Sequence, residues 1–257
     1  MFTERYGPWA VVAGASEGLG AQFAKQLSER GLKVVLIARR ENVVKELAAT
    51  LPTETKCLPL DLASPEAAAR IAEFTGELDV GLVVYNAALS PIGPFLEQSI
   101  ADNLKAIDVN VKTPTALMHH FAPRMVKRGK GGLVLLSSLT AFQGSPFVST
   151  YGATKSFNLA LAEGLWAELR NSGVDVLAVC AGATATPNLL KSVNKLPPGT
   201  QQPAEVVREA LNSLSAGPLL IPGRFNRFAS FLLRRLLPRR LTIQIMAGQT
   251  RKLQLPP

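Results

Sequence analysis

A doubly wound parallel sheet with helices on both faces is the fold this sequence predicts, and three observations predict it. Short apolar, β-branched runs alternate with longer amphipathic stretches almost from the first residue. The short runs are nearly continuous in apolar character, as strands covered on both faces require. The alternation is sustained without an internal repeat or a low-complexity block. Trp9–Ala13, Lys33–Ala38, Lys56–Leu60, Gly81–Tyr85, Leu133–Ser137, Val174–Val179 and Leu219–Ile221 read as strands, about seven in all. Leu19–Arg30, Glu41–Thr50, Pro65–Thr75, Asp102–Arg128, Tyr151–Ser172 and Ala204–Ser215 read as helices. Ser64-Pro65 opens one helix with a capping hydroxyl and proline at the first position, and Gly31 closes another. One domain over residues 1–223 is expected, followed by a basic, amphipathic, helical extension over 224–257.

Composition narrows the function classes. The 257 residues are 47% hydrophobic and 18% charged, which suits a folded chain and excludes wholesale disorder. The two cysteines, Cys57 and Cys180, allow neither a disulfide framework nor a Cys-rich metal site, so no metal is expected, and they fit a reducing cytoplasm. The N-terminus has an early acid and no apolar core of a signal peptide, and no stretch is long and apolar enough to span a membrane. A soluble intracellular protein is expected. The net charge of +9 is concentrated: residues 224–257 hold eight basic residues and no acid, leaving 9 − 8 = +1 for residues 1–223. A nucleic-acid role for the main body therefore loses its main support.

The first strand ends in Gly14-Ala-Ser16-Glu17-Gly18-Leu19-Gly20, and a helix follows at once. Glycines there let the backbone turn tightly and approach a pyrophosphate, and the helix N-terminus offers free N–H groups and a positive dipole end. Between a first strand and a helix, this turn favours a dinucleotide over a plain tight connection. The second strand ends at Ala38-Arg39-Arg40. An acid there would hydrogen-bond a free ribose 2′-hydroxyl, whereas a guanidinium pairs with a 2′-phosphate; Arg39 and Arg40 favour NADPH over NADH unless they are simply solvated. Glu17, inside the turn, lends that preference no support.

Tyr151-Gly-Ala-Thr-Lys155 sets a phenol and an ammonium four residues apart on one helix face. A free tyrosine titrates near 10, and a neighbouring cation favours its phenolate, so Tyr151 can exchange a proton with a substrate oxygen. Thirteen residues upstream, Ser138 ends an apolar strand, where a hydroxyl points into the ligand crevice of an open α/β sheet. Alone, the Tyr-Lys pair is an ordinary helix face; after a phosphate turn and a strand ending in Ser138 it is a constellation.

With these motifs, residues 9–222 resemble the short-chain dehydrogenase/reductase family in its compact single-domain form. The resemblance is carried by Gly14-x-x-x-Gly18-x-Gly20, Asp61 after the third strand, Asn86-Ala87-Ala88 after the fourth, Asn110, Ser138, Tyr151 and Lys155. It implies that Tyr151 donates the proton in carbonyl reduction and Ser138 polarises the carbonyl. Lys155 would bind the nicotinamide ribose and depress the Tyr151 pKa, and Asn110 would anchor a relaying water. Asp61 and Leu62 would sit at the adenine, Asn86 to Ala88 would line the cofactor, and Ala181-Gly182-Ala-Thr184-Ala-Thr186 would contact the nicotinamide. Ala13, Ala88 and Ala181 depart from the family's usual Thr, Gly and Pro, which touches geometry and removes no proton-transferring group.

The expected activity is therefore hydride transfer between NADPH and a ketone or aldehyde, or the reverse alcohol oxidation. A dinucleotide-binding scaffold with incidental reductase activity is the alternative, and an adaptor working through the tail rests on composition alone. Leu189, Leu190, Val193 and Leu196 in the segment 187–202 suggest a lid and an apolar pocket, hence a lipophilic or aromatic substrate. The family implies a homodimer or homotetramer built on the long helices. His119 and His120 point about 100° apart and share no ligand face; they and Trp166 read as surface, subunit-contact or core residues, and Cys180 as a small buried apolar one. Phe225, Phe228, Leu232 and Leu236 recur at helical spacing across residues 224–241. Their apolar side is expected to cover the domain or the substrate entrance, the other reading being peripheral contact with an anionic membrane.

Overall fold

The computed structural model describes residues 1–251, so Lys252 of the basic tail lies outside the described residues. In chain order the elements are α1 (Phe2–Tyr6), β1 (Trp9–Ala13), α2 (Gly18–Glu29), β2 (Lys33–Ala38), α3 (Glu41–Ala49), β3 (Thr55–Pro59) and α4 (Ala67–Phe74). They continue with β4 (Val80–Tyr85), α5 (Ile100–Ile107), α6 (Thr113–Arg128), β5 (Gly131–Ser138), α7 (Ser149–Leu169) and β6 (Val174–Ala181). After these come α8 (Pro187–Ser192), α9 (Pro203–Asn212), β7 (Leu219–Leu220), α10 (Arg224–Arg235) and α11 (Arg239–Thr250).

The seven strands are all parallel in the order β3-β2-β1-β4-β5-β6-β7. Alternate residues feed opposite cores. Val11, Val83, Leu133 and Val176 meet Ile71, Phe121 and Ala162 from α4, α6 and α7. On the other face, Val12, Leu36, Val84 and Leu177 meet Phe23, Leu27 and Val206 from α2 and α9. Every residue of β1 and β4 is buried, as the unbroken apolar runs required. Winding reverses between β1 and β4, and ligands of open α/β sheets bind beyond the carboxyl ends of the strands at such a switch point. The strand ends there carry Gly14, Asn86 and, one strand over, Ser138.

Several elements differ from the sequence reading for identifiable reasons. The helix read over Asp102–Arg128 begins earlier, at Ile100, and opens by one residue at Asp108–Lys112. In an α-helix residue 114 would donate to Asn110, and Pro114 has no N–H. Thr113 instead reaches back five residues to the Asp108 carbonyl. The Val109 carbonyl, whose five-back donor would also be Pro114, accepts the Tyr85 hydroxyl at 2.5 Å in a buried bond. Helix α4 starts at Ala67 and not at Pro65, because the Ser64 hydroxyl turns in to accept the Glu66 N–H and closes a separate turn. Gly31, at φ +87, ends α2 as expected. Strands β5 and β6 run on to Ser138 and Ala181, and the short helices α1 and α8 fall where no strong periodicity announced them.

The tail departs most. The single helix read over 224–241 is two, because Pro238 cannot continue the first. The expected covering of the domain is met only in part: Ile243 of α11 lies on Gly144 and Arg234 lies over the Phe142 ring, between Ser138 and Tyr151, but Phe225, Phe228 and Leu236 are exposed and Leu232 is only half-buried. The side that packs down carries Asn226 and Ser230 instead. The first turn of α10 is pinned from that side, for Asn226 Nδ2 donates to the Gly199 carbonyl at 3.2 Å and pairs with the Gln201 amide. Arg227 donates to Glu209 at 2.9 Å.

Tyr85→Phe leaves the buried Val109 carbonyl without its donor. A loss of about 1–2 kcal/mol and a fall in Tm of a few degrees are expected by thermal unfolding; an unchanged Tm would show that Val109 has another partner.

Candidate active site

The glycine turn is built to let something approach. Gly14 and Gly18 hold φ +85 and +58, which other residues reach only under strain. A Cβ on Gly20 would lie 1.9 Å from the Gly14 carbonyl oxygen, and one on Gly14 would lie 2.6 Å from the Ala87 nitrogen. Asn86 Nδ2 donates to that Gly14 carbonyl at 2.8 Å, and the Asn86 and Ala87 N–H groups both donate to Ala13. The turn after β1 is thereby sewn to the end of β4. No side chain caps the N-terminus of α2, so its first N–H groups face the turn with the positive end of the helix. Ser16 lies within this loop, and Leu19, in the first turn of α2, packs onto the core beneath it. A backbone cradle that only glycine permits, closed by an uncapped helix start, fits a dinucleotide pyrophosphate.

At the end of β2, Arg40 is held against the turn by Glu17 at 2.8 Å and by the Ser16 hydroxyl at 3.1 Å. Glu17, which lent the NADPH reading no support, thus orients a guanidinium toward the cradle. Arg39 is exposed and has no ion-pair partner among the described residues. The Ala63 N–H donates to Asp61 at 3.0 Å and holds its carboxyl below the usual range. Leu62 is buried, and its carbonyl accepts the Thr113 hydroxyl at 2.8 Å, joining the end of β3 to the start of α6. Ala88 follows Asn86 and Ala87 at the rim.

The proton-handling groups converge between β5 and α7. Lys155, 2% exposed, donates from Nζ to the Leu136 carbonyl at 2.6 Å and sits 5.5 Å from the centre of the Tyr151 ring. The Ser137 hydroxyl donates to the Lys155 carbonyl at 2.8 Å, locking helix to strand. Burial pushes the Tyr151 phenol up, and its hydrogen bond with Ser138 pulls it back down. Burial also lowers the Lys155 ammonium to about 8. Asn110, fully buried, accepts from the Leu89 N–H at 2.8 Å and donates to the Leu89 carbonyl and to Thr154, so it ties the β4 loop to α7 one turn from Tyr151.

Ala181 pairs in register with Ser138. Beyond it, Thr186 caps α8 and lies where a Cβ on Gly18 would meet its methyl at 2.8 Å, so residues 181–186 arch back over the phosphate turn. Thr184 bridges to Gln201, with Gly182 beside the Asn226 amide. Asn226 and Gln201, which clamp this arch at its base, were not picked out from sequence. The glycines at 182, 199 and 223 were the available signal, each packing against Asn226, Phe225 or Gln201. A pocket of about 380 Å³ opens beside Leu89 and is lined by Ile92, Pro94 and Gln98 among others. Its loop is tied to the segment before α7 by the Gly93 N–H donating to Phe147, a residue held at φ +67. His119 is exposed and His120 half-buried, Trp166 packs partly on the core, and Cys180 is buried. Among the described residues no group of three His, Cys, Asp or Glu could hold a metal, and no helix is long and apolar enough to cross a membrane.

Comparison with known proteins agrees with this geometry. A family model described as short chain dehydrogenase matches residues 8–196. A 7beta-hydroxysteroid dehydrogenase from Clostridium sardiniense is 34% identical over 233 residues, covering 88% of this chain and 89% of the relative. A solved structure reported for its insights into 7beta-hydroxysteroid dehydrogenase stereoselectivity superposes with a TM-score of 0.89 at 31% identity, over 95% of this chain and 98% of that one. A short-chain dehydrogenase from Sphingobium yanoikuyae in complex with NADPH superposes with a TM-score of 0.78 at 30% identity, over 87% and 92%.

The Lys155 ammonium titrates near 8 in the folded chain against an ordinary 10.5. Between these values the unfolded chain binds the extra proton, so the Lys155 contribution to stability rises with pH in that window and is lost as pH falls through 8. The unfolding free energy of the wild type relative to Lys155→Met should therefore climb across it. A flat difference would show an unperturbed lysine.

Proposed function

This chain belongs to the short-chain dehydrogenase family and is an oxidoreductase acting between hydroxyl and carbonyl groups; from that premise we propose that it reduces a bulky lipophilic ketone, of steroid size, with NADPH, or oxidises the corresponding alcohol. The observation that carries the reading is the convergence of Ser138, Tyr151, Lys155 and Asn110 beside the glycine cradle.

The cradle of residues 14–20 and the start of α2 would hold the pyrophosphate. Arg39 and Arg40 would hold the 2′-phosphate, with Asp61 and Leu62 at the adenine. Asn86 to Ala88, Lys155 and the arch of Ala181, Gly182, Thr184 and Thr186 would hold the nicotinamide half. When bound, the cofactor supplies or accepts the hydride. The Ser138 hydroxyl donates to the carbonyl oxygen and fixes it beside Tyr151. Tyr151, kept protonated at neutral pH by its raised pKa, gives its proton to that oxygen as charge builds there, and takes it back in the oxidation direction. Asn110 keeps the Leu89 loop and α7 in register while this happens. The pocket wall at Ile92 and Pro94, with Leu190 and Leu196 exposed on the lid, supports an apolar substrate. The likeness to 7beta-hydroxysteroid dehydrogenase over 95% of the chain supports its size.

Two unpaired cysteines support placement in a reducing cytoplasm. Leu104 and Phe157, exposed on α5 and α7, support a homodimer or homotetramer formed through those helices.

Turnover of a graded panel of ketones with NADPH and NADH tests the reading. Oxidation of NADPH that strengthens toward polycyclic ketones is expected, with Tyr151→Phe reducing kcat by about a hundredfold or more. Arg39→Ala should weaken NADPH roughly tenfold and leave NADH unchanged. An active Tyr151→Phe enzyme would overturn the assignment.

A further inference from the structure

The tail helices are amphipathic, and they are mounted with the greasy side out. On α10 the residues that pack inward are Asn226 and Ser230, both 4–5% exposed, and on α11 they are Thr242 and Thr250. Outward stand Phe225, Phe228 and Phe231, each more than half exposed, followed by Leu236, Leu241 and Ile245. At 100° per residue the three phenylalanines fall within about 120° of one another and opposite Asn226 and Ser230. The orientation is enforced. Asn226 is held by Gly199 and Gln201 and Arg227 by Glu209, while the Thr242 hydroxyl donates to the Leu233 carbonyl and fixes α11 on α10. Turning α10 to bury its phenylalanines would break these bonds. It would also lift the Phe225 ring off Gly199, on which one edge of it rests so closely that a Cβ there would lie 2.4 Å away.

Charge selects what covers this face. Arg224, Arg235, Arg239 and Arg240 are exposed on the same two helices, and residues 224–257 contain no Asp or Glu. A second copy of the chain presenting this surface would bring one block of arginines against another, with no acid in either tail to neutralise them. Aromatic residues flanked by arginines on a helix lying flat suit the boundary of an anionic lipid bilayer: the rings enter the headgroup and acyl region, and the guanidiniums meet phosphates. We propose that the outward face of α10 and the start of α11 docks this protein on an anionic membrane surface as a monotopic contact, whichever carbonyl compound the active site reduces.

The test is co-sedimentation of the full chain with vesicles of phosphatidylcholine and phosphatidylglycerol, against phosphatidylcholine alone. Binding to the anionic vesicles is expected to be at least about tenfold stronger. Phe228→Ser/Phe231→Ser should lower it by about tenfold or more with an unchanged circular dichroism spectrum, because both rings are exposed. Arg235→Glu/Arg239→Glu should abolish the preference for anionic lipid. Binding that ignores either pair of substitutions would overturn the proposal. So would failure to sediment, together with a dimer in solution that Phe228→Ser/Phe231→Ser dissociates, since the face would then be covered by a second copy.

Discussion

Pro114 brings no N–H to the helix that carries Asn110, so the chain opens there by one residue and Thr113 reaches back to Asp108. The consequences spread through the catalytic end of the molecule. The displaced Val109 carbonyl takes the Tyr85 hydroxyl from the end of β4, and Asn110 turns its amide onto Leu89 and Thr154. Three segments far apart in sequence are fixed relative to one another: the β4 loop that opens the pocket, the widened helix, and the first two turns of α7 with Tyr151 and Lys155. A fully buried amide that satisfies itself entirely on protein groups is a rigid strut, because releasing any of its partners strands a polar atom in the core.

Electrostatics at the site follow from burial more than from paired charges. Lys155 is nearly inaccessible, so burial lowers its ammonium even though the Leu136 carbonyl accepts one of its N–H groups, and burial of the Tyr151 phenol pushes that group up. A protonated phenol beside Ser138 is the state a reduction begins from. At the other end of the crevice, the acid that looked misplaced in the glycine turn finds its use in holding Arg40.

Most of this was legible because it is local. The glycine turn, the strand ending at Ser138 and the Tyr-Lys pair depend on near neighbours in sequence, and each sits where its motif placed it. The widened helix was in principle legible at Pro114, four residues after Asn110, yet an unbroken apolar periodicity from 102 to 128 concealed it. What sequence could not give were choices made by distant contacts. A helical wheel shows that α10 has two faces; only the clamp of Asn226 on Gly199 and Gln201 decides that the polar one goes in.

Hydride chemistry in this chain requires the crevice between β1 and β4 to be a dinucleotide site, and calorimetric titration of the protein with NADPH and with NADH tests that directly. Saturable binding of one NADPH per chain, tighter than NADH, is the expected result. Absence of saturable binding by either nucleotide would contradict it.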